Sequence, residues 1–76
     1  MNIHEFVEQL QEELEFETKL SLDTYIKELE EWDSLSAMVL IGFVSQKFKL
    51  IITAKDIESF TSLHSIVDFI GIDKFD

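Results

Sequence analysis

The sequence contains no cysteine, no proline and no arginine, and its only glycines are Gly42 and Gly71. Without cysteine, neither a disulfide framework nor a thiolate metal site is available, and any thiol chemistry must come from an added group. Without proline, and with so little glycine, the usual hairpin and linker signals are missing, which leaves helices as the expected building blocks. No apolar run is long enough to span a bilayer, and Met1-Asn2-Ile3-His4-Glu5 has neither the basic start nor the apolar core of a signal peptide. The expectation is a cytoplasmic chain without stable membrane insertion. Positive charge is equally scarce: six lysines face sixteen Asp and Glu residues, a formal net charge of −10 at pH 7. That sign disfavours nucleic acids and anionic membranes as partners and favours basic protein surfaces. It also opposes self-association in low salt, so a monomer is expected.

Against these absences, 46% of the 76 residues are hydrophobic, which separates the chain from the disordered class. The length allows one small domain, residues 1–76, with no room for a separate catalytic domain or a deep, water-excluding cleft. Charge is unevenly spread. Residues 1–33 hold eleven acids and two lysines, a net −9, whereas residues 34–76 hold five acids and four lysines, a net −1. Such crowding predicts marginal stability that improves with salt.

Ile3, Phe6, Val7, Leu10 and Leu14 recur at spacings of three and four with acids between them, predicting an amphipathic first helix. From Glu15 to Asp33 the apolar residues are irregularly spaced, and Ser21, Asp23 and Thr24 offer local side-chain bonds, so a long, partly ordered connection is expected. Tyr25 and Trp32 are expected to anchor it. A second long helix follows through Phe48, with Asp33 or Ser34 as its cap and Lys47 in its last turn. Ala37, Leu40, Ile41, Val44 and Phe48 form its expected core face, which leaves Leu35, Met38, Val39, Gly42 and Phe43 as a candidate contact surface. Lys49 to Ile52 is strand-like by composition but has no strand to pair with, and is expected to be an extended connection. Thr53 is placed to cap a short third helix, and Thr61 or Ser62 a last helix that faces Leu63, Ile66, Val67 and Ile70 inward and stops at Gly71.

Asp33-Ser34-Leu35 is the motif that carries chemistry. A lone tripeptide of this kind is usually just a helix cap. Here the serine opens an apolar helix after a long loop, where free backbone N–H groups and the positive helix end favour an attached phosphoryl group. With Phe48-Lys49-Leu50-Ile51-Ile52 after the second helix and Ile66-Val67-Asp68-Phe69-Ile70 in the closing one, the chain resembles the acyl carrier proteins over nearly its whole length.

The resemblance implies an all-α four-helix bundle carrying 4′-phosphopantetheine on Ser34. A phosphopantetheinyl transferase would move the group from coenzyme A, and its thiol would carry acyl intermediates as thioesters, supplying what the cysteine-free chain lacks. On this reading the chain is not an enzyme: it presents cargo to a loading ligase and to acyl-processing enzymes at high effective concentration. Asp33 would position the serine and contact the transferase, and Leu35, Met38, Val39 and Phe43 would meet partners.

The sequence departs from carriers of fatty-acid synthesis in two places. Residues 34–48 contain no acid, and Glu30-Glu31-Trp32 precedes the motif where a glycine is common. Both point to a dedicated pathway, whether polyketide, peptide or surface glycan, with apolar docking and steering by Glu28, Glu30 and Glu31. An aminoacyl, peptidyl or D-alanyl carrier is the alternative within the family; an unmodified acidic helical adaptor is the alternative outside it. Weaker signals are a His4–Glu8 metal pair without a third ligand, a His64–Ser34 hydrolytic pair without a nucleophile elbow, and an acidic run at residues 28–33 without calcium-loop spacing.

Overall fold

A computed structural model describes all 76 residues, Met1 to Asp76. Four α-helices follow one another: α1 (Ile3–Leu14), α2 (Ser34–Phe48), α3 (Ala54–Ser59) and α4 (Leu63–Ile70). Single 3₁₀ turns at Ile26–Glu28 and Ile72–Lys74 complete the regular structure, and no strand forms. The architecture is all-α, with α2 packed against α1 over one core.

α1 starts in a reciprocal capping box: the Asn2 side chain accepts from the Glu5 N–H at 2.8 Å, and the Glu5 carboxylate accepts from the Asn2 N–H at 2.9 Å. Phe6, Leu10 and Leu14, one turn apart, are buried on its inner face. The helix ends at Glu15, whose left-handed backbone (φ 57°) lets its N–H donate to the carbonyls of Gln11 and Glu12.

The connection from Glu15 to Asp33 is ordered throughout by bonds that sequence spacing does not reveal. Phe16, Leu20 and Ile26 are buried in the core. The Gln11 side chain acts as a bracket: its amide donates to the carbonyls of Phe16 and Thr18, and its oxygen accepts from the Leu20 N–H at 2.7 Å. Further on, the loop carbonyls of Leu22 and Thr24 accept from the N–H groups of His64 and Leu63 at 3.0 Å. These are otherwise unpaired donors at the start of α4. That explains why Ser62, in the N-cap position, makes no side-chain cap. Lys27 works at the other end of a helix, donating to the carbonyls of Ile57 and Glu58 at 3.0 and 2.8 Å as α3 finishes. Trp32 is half-buried against the core as expected of an anchor, but Tyr25 is 55% exposed and is not among the residues packed against the core.

α2 corrects the expected core face. Ser36, Leu40, Phe43 and Val44 are its buried residues, while Ala37, Ile41 and Phe48 are half-buried. Phe43, expected on the contact surface, is 5% exposed, with its ring 5.7 Å from Phe6. The physical reason is that α2 is apolar around most of its circumference, so its own periodicity cannot choose a face and the position of α1 chooses it.

After α2 the chain turns at Lys49 (φ 59°), so the expected extended connection does not include that residue, and Leu50 to Ile52 form neither helix nor paired strand. Ile52 enters the core while Ile51 stays 81% exposed. Thr53 and Asp56 form a second capping box at the start of α3. α4 buries Leu63, Ile66, Val67 and Ile70, all four of the residues its pattern marks. It ends at Gly71, where φ is 103° and a Cβ would lie 2.9 Å from an Asp73 carboxylate oxygen. Phe75 then returns to the core, with ring centroids 5.5 Å from Phe6 and 5.1 Å from Phe48. No helix is long and apolar enough to cross a membrane.

Candidate functional site

The start of α2 brings together an exposed hydroxyl, an exposed apolar ridge and an acidic notch. Ser34 is the first residue of the helix and is exposed, and its hydroxyl takes part in no hydrogen bond. Asp33 supplies the cap. Its carboxylate accepts from the Ser36 N–H at 2.9 Å and from the Ser36 hydroxyl at 3.0 Å. These bonds, the Ser36 N–H first, then the Ser36 hydroxyl and less strongly the Leu35 N–H, hold the Asp33 carboxyl below its ordinary pKa despite some loss of hydration. Asp33 is therefore ionised at neutral pH and turned toward Ser36, not Ser34.

The two neighbouring serines have opposite environments. Ser36 is 7% exposed, and its hydroxyl is also within 3.3 Å of the Glu31 carbonyl. It is a structural group that ties the loop to the helix. Ser34 keeps an exposed hydroxyl with no hydrogen-bond partner.

Beside Ser34, Leu35 and Met38 are 66% and 67% exposed, and Val39 is half-buried behind them. At these spacings they form a ridge along one side of α2. Phe43 does not join it. Between the end of α1 and the start of α2 lies a notch of about 350 Å³, lined by the acids Glu13, Glu15, Glu31 and Asp33 and by Leu14, Phe16, Leu35 and Val39. Glu31 and Asp33 belong to an acidic run visible in the sequence; Glu13 comes from the last turn of α1 and Glu15 from the residue that ends it, and both could be found only by folding the chain. The acids that α2 lacks are thus supplied from outside it.

Glu31 is fixed by three donors: the Glu17 N–H at 2.7 Å, the Thr18 N–H at 3.2 Å and the Thr18 hydroxyl at 2.7 Å. The Thr18 hydroxyl is the largest cause of a lowered carboxyl pKa, followed by the Thr18 N–H, with lost hydration opposing and the Glu17 N–H adding. The loop before Ser34 is thereby pinned to the end of α1.

The weaker signals separate in space. His4 Nε2 lies 3.2 Å from the Glu8 carboxylate on an exposed face, and no third side chain completes a metal-binding group. His64 faces Asp23 at 3.9 Å, and no hydrogen bond joins it to Ser34.

Among protein-family models, that of the phosphopantetheine attachment site, PP-binding, matches residues 4–70. No curated protein and no solved structure gives a significant match. The matched span covers α1 from its second residue, the whole of α2, α3 and α4, and the Asp33-Ser34-Leu35 motif at the start of α2. This chain therefore belongs to the phosphopantetheine attachment-site family, the helical carrier domains that bear a covalently attached 4′-phosphopantetheine.

Proposed function

We propose that Ser34 is the attachment residue and that the chain is an acyl carrier of a dedicated biosynthetic pathway, not the housekeeping carrier of fatty-acid synthesis. The observation that carries the first half is the contrast between the free, exposed Ser34 hydroxyl and the buried, doubly bonded Ser36 hydroxyl two residues on. The position suits a phosphodiester in that Ser34 stands at the positive end of α2, although the Ser36 N–H of the first turn is already taken by Asp33.

In the attachment reaction the Ser34 oxygen forms a bond to the β-phosphorus of coenzyme A, the bond from that phosphorus to the adenosine bisphosphate breaks, and the hydroxyl proton leaves. Asp33 is committed to the cap and does not take that proton, so the base belongs to the transferase. Asp33 acts instead by fixing the first turn on which Ser34 stands. Bound there, the group supplies a terminal thiol that holds acyl cargo as a thioester. Ser34 anchors it, and the role of the chain is presentation of cargo, not catalysis.

A dedicated pathway is supported by the α2 surface. With no acid between Ser34 and Phe48, enzymes that approach the arm meet Leu35, Met38 and Val39, and find negative charge in the notch at the helix start. Partners of this chain therefore recognise an apolar ridge with one acidic end.

The test is intact-protein mass after incubation with coenzyme A, Mg²⁺ and a broad-specificity phosphopantetheinyl transferase. Wild type and Ser36→Ala are expected to gain one phosphopantetheine, and Ser34→Ala none. A gain that persists in Ser34→Ala moves the attachment elsewhere. No gain by any folded variant leaves Ser34 as an unmodified helix residue and the chain as an acidic adaptor.

A further inference from the structure

A second groove lies along α1; its lining shares no residue with the notch beside Ser34, although Glu17 of the groove donates its N–H to Glu31 of the notch at 2.7 Å. It has a volume of about 680 Å³ and runs between α1 and the first part of the loop, and no residue of α2 lines it. Its apolar floor is Ile3 and Val7 from the helix, one turn apart, with Leu20 and Leu22 from the loop. Ile3, Val7 and Leu22 are only half-buried, so the chain does not cover this floor itself. The walls are held in place: the Gln11 bracket fixes residues 16–20, and Thr24 closes a turn with the Ser21 N–H at 2.9 Å.

The rim is acidic. Glu8 and Glu12 stand one turn apart along α1, and Glu17 joins them from the loop; against these three acids stand Lys19 and His4, whose ring lies 3.2 Å from the Glu8 carboxylate. The carboxylates continue around α1 into a shallow polar surface of Glu5, Glu8, Gln9, Glu12 and Glu13. On α1 the apolar strip spans Ile3 to Val7, about 6 Å or one helical turn, and is extended by Leu20 and Leu22 of the loop; the acidic strip beside it spans Glu8 to Glu12.

We infer that this groove is a docking site for a basic amphipathic helix of a partner protein, separate from the surface that serves Ser34. Charge selects this occupant. A second copy of the chain would bring another net charge of −10 to the acidic rim, and an anionic lipid or fatty acid would be repelled by the same carboxylates. A helix with leucines on one side and lysines flanking them fills the strip and neutralises the rim together. Because the groove is independent of α2, a partner seated there leaves the Ser34 side open, and the carrier can be held at one enzyme while its arm serves another. This goes beyond the carrier reading and does not require it.

The probe is a synthetic twelve-residue helix of Leu and Lys at amphipathic spacing, titrated into ¹⁵N-labelled wild-type chain at low and moderate salt. Saturable shifts are expected at Val7, Glu8 and Glu12 and from Lys19 to Leu22, with affinity lower by about tenfold in Glu8→Lys/Glu12→Lys, and reduced also in Val7→Ser. A scrambled peptide of the same composition should bind more weakly. Equal binding of the scrambled peptide, shifts spread over all the acids, or shifts centred on Leu35 and Met38 would overturn the proposal. Loading of Ser34 by the transferase, followed by mass, is expected to be unchanged in Glu8→Lys/Glu12→Lys. If the wild type is not loaded at all, the carrier reading fails while the titration still decides the groove.

Discussion

The Glu31 carboxylate holds Thr18 twice, by its backbone N–H at 3.2 Å and by its hydroxyl at 2.7 Å, and so fastens the far end of the long loop to its beginning. Asp33 then caps α2 two residues later. The placement of Ser34 rests on these two carboxylates in succession.

Both carboxyls have lowered pKa values in the folded chain, Glu31 chiefly through the Thr18 hydroxyl and Asp33 chiefly through the Ser36 N–H. A depressed folded pKa contributes stability that is present above the unfolded value and is lost as pH falls through the folded one. The expected outcome is a thermal midpoint that drops once pH goes below about 4. Above that range, mild acidification relieves repulsion among the remaining acids and works in the opposite direction. Glu31→Gln should have a lower midpoint at pH 7 and a shallower acid limb. An acid limb identical to wild type would count against the Glu31 link.

Glu15 and Lys49 are the two non-glycine residues with positive φ, at 57° and 59°. Left-handed backbone costs an L-residue roughly 1–2 kcal/mol, and glycine returns about half of that as unfolded-chain entropy. Glu15→Gly and Lys49→Gly are each expected to stabilise by about 0.5–1 kcal/mol in urea denaturation. Glu15→Gly should gain more, because it also removes a negative charge from a helix C-terminus, whereas Lys49 is favourably charged there.

Phe75 sits next to the last residue, yet is buried against Phe6 and Phe48. Phe75→Ala is expected to cost about 3 kcal/mol, a large share of the stability of so small a domain. The midpoint of urea denaturation measures it. A loss below about 1 kcal/mol would mean that the end of the chain does not hold the core.

Eleven acids in the first 33 residues repel one another across an exposed face. Raising ionic strength from about 10 to 200 mM shortens the screening length from roughly 30 Å to below 10 Å, so the thermal midpoint should rise by several degrees. The rise should be smaller in Glu8→Lys/Glu12→Lys, which breaks up the run. A midpoint insensitive to salt in the wild type would show that solvent already screens these charges.

The helices were legible in the sequence wherever one face was clearly apolar. α4 buries the four residues its spacing marks, and α1 buries Phe6, Leu10 and Leu14 but leaves Ile3 and Val7, marked by the same spacing, half-buried, because a polar face tells a helix which side to turn inward but not how wide a strip its neighbours cover. Capping is equally local, and Asp33 and Thr53 act where their positions predict. The place of Asp33-Ser34-Leu35 at a helix start was legible for the same reason.

What tertiary structure decided is whatever depends on which element lies opposite. α2 has no polar face to orient it, so only the approach of Phe6 from α1 sends Phe43 inward and leaves Leu35 and Met38 outside. The loop has no period at all. Its order comes from Gln11, Lys27 and Glu31, polar side chains whose partners lie up to 31 residues away and whose roles no local pattern encodes. Phe75 closes the core from the end of the chain, and Glu13 and Glu15 reach the side of Ser34 because α1 ends there. Local sequence determines helices and caps because their bonds join residues three or four apart; the faces, the loop and the acidic setting of Ser34 depend on distant residues that meet only when the core closes.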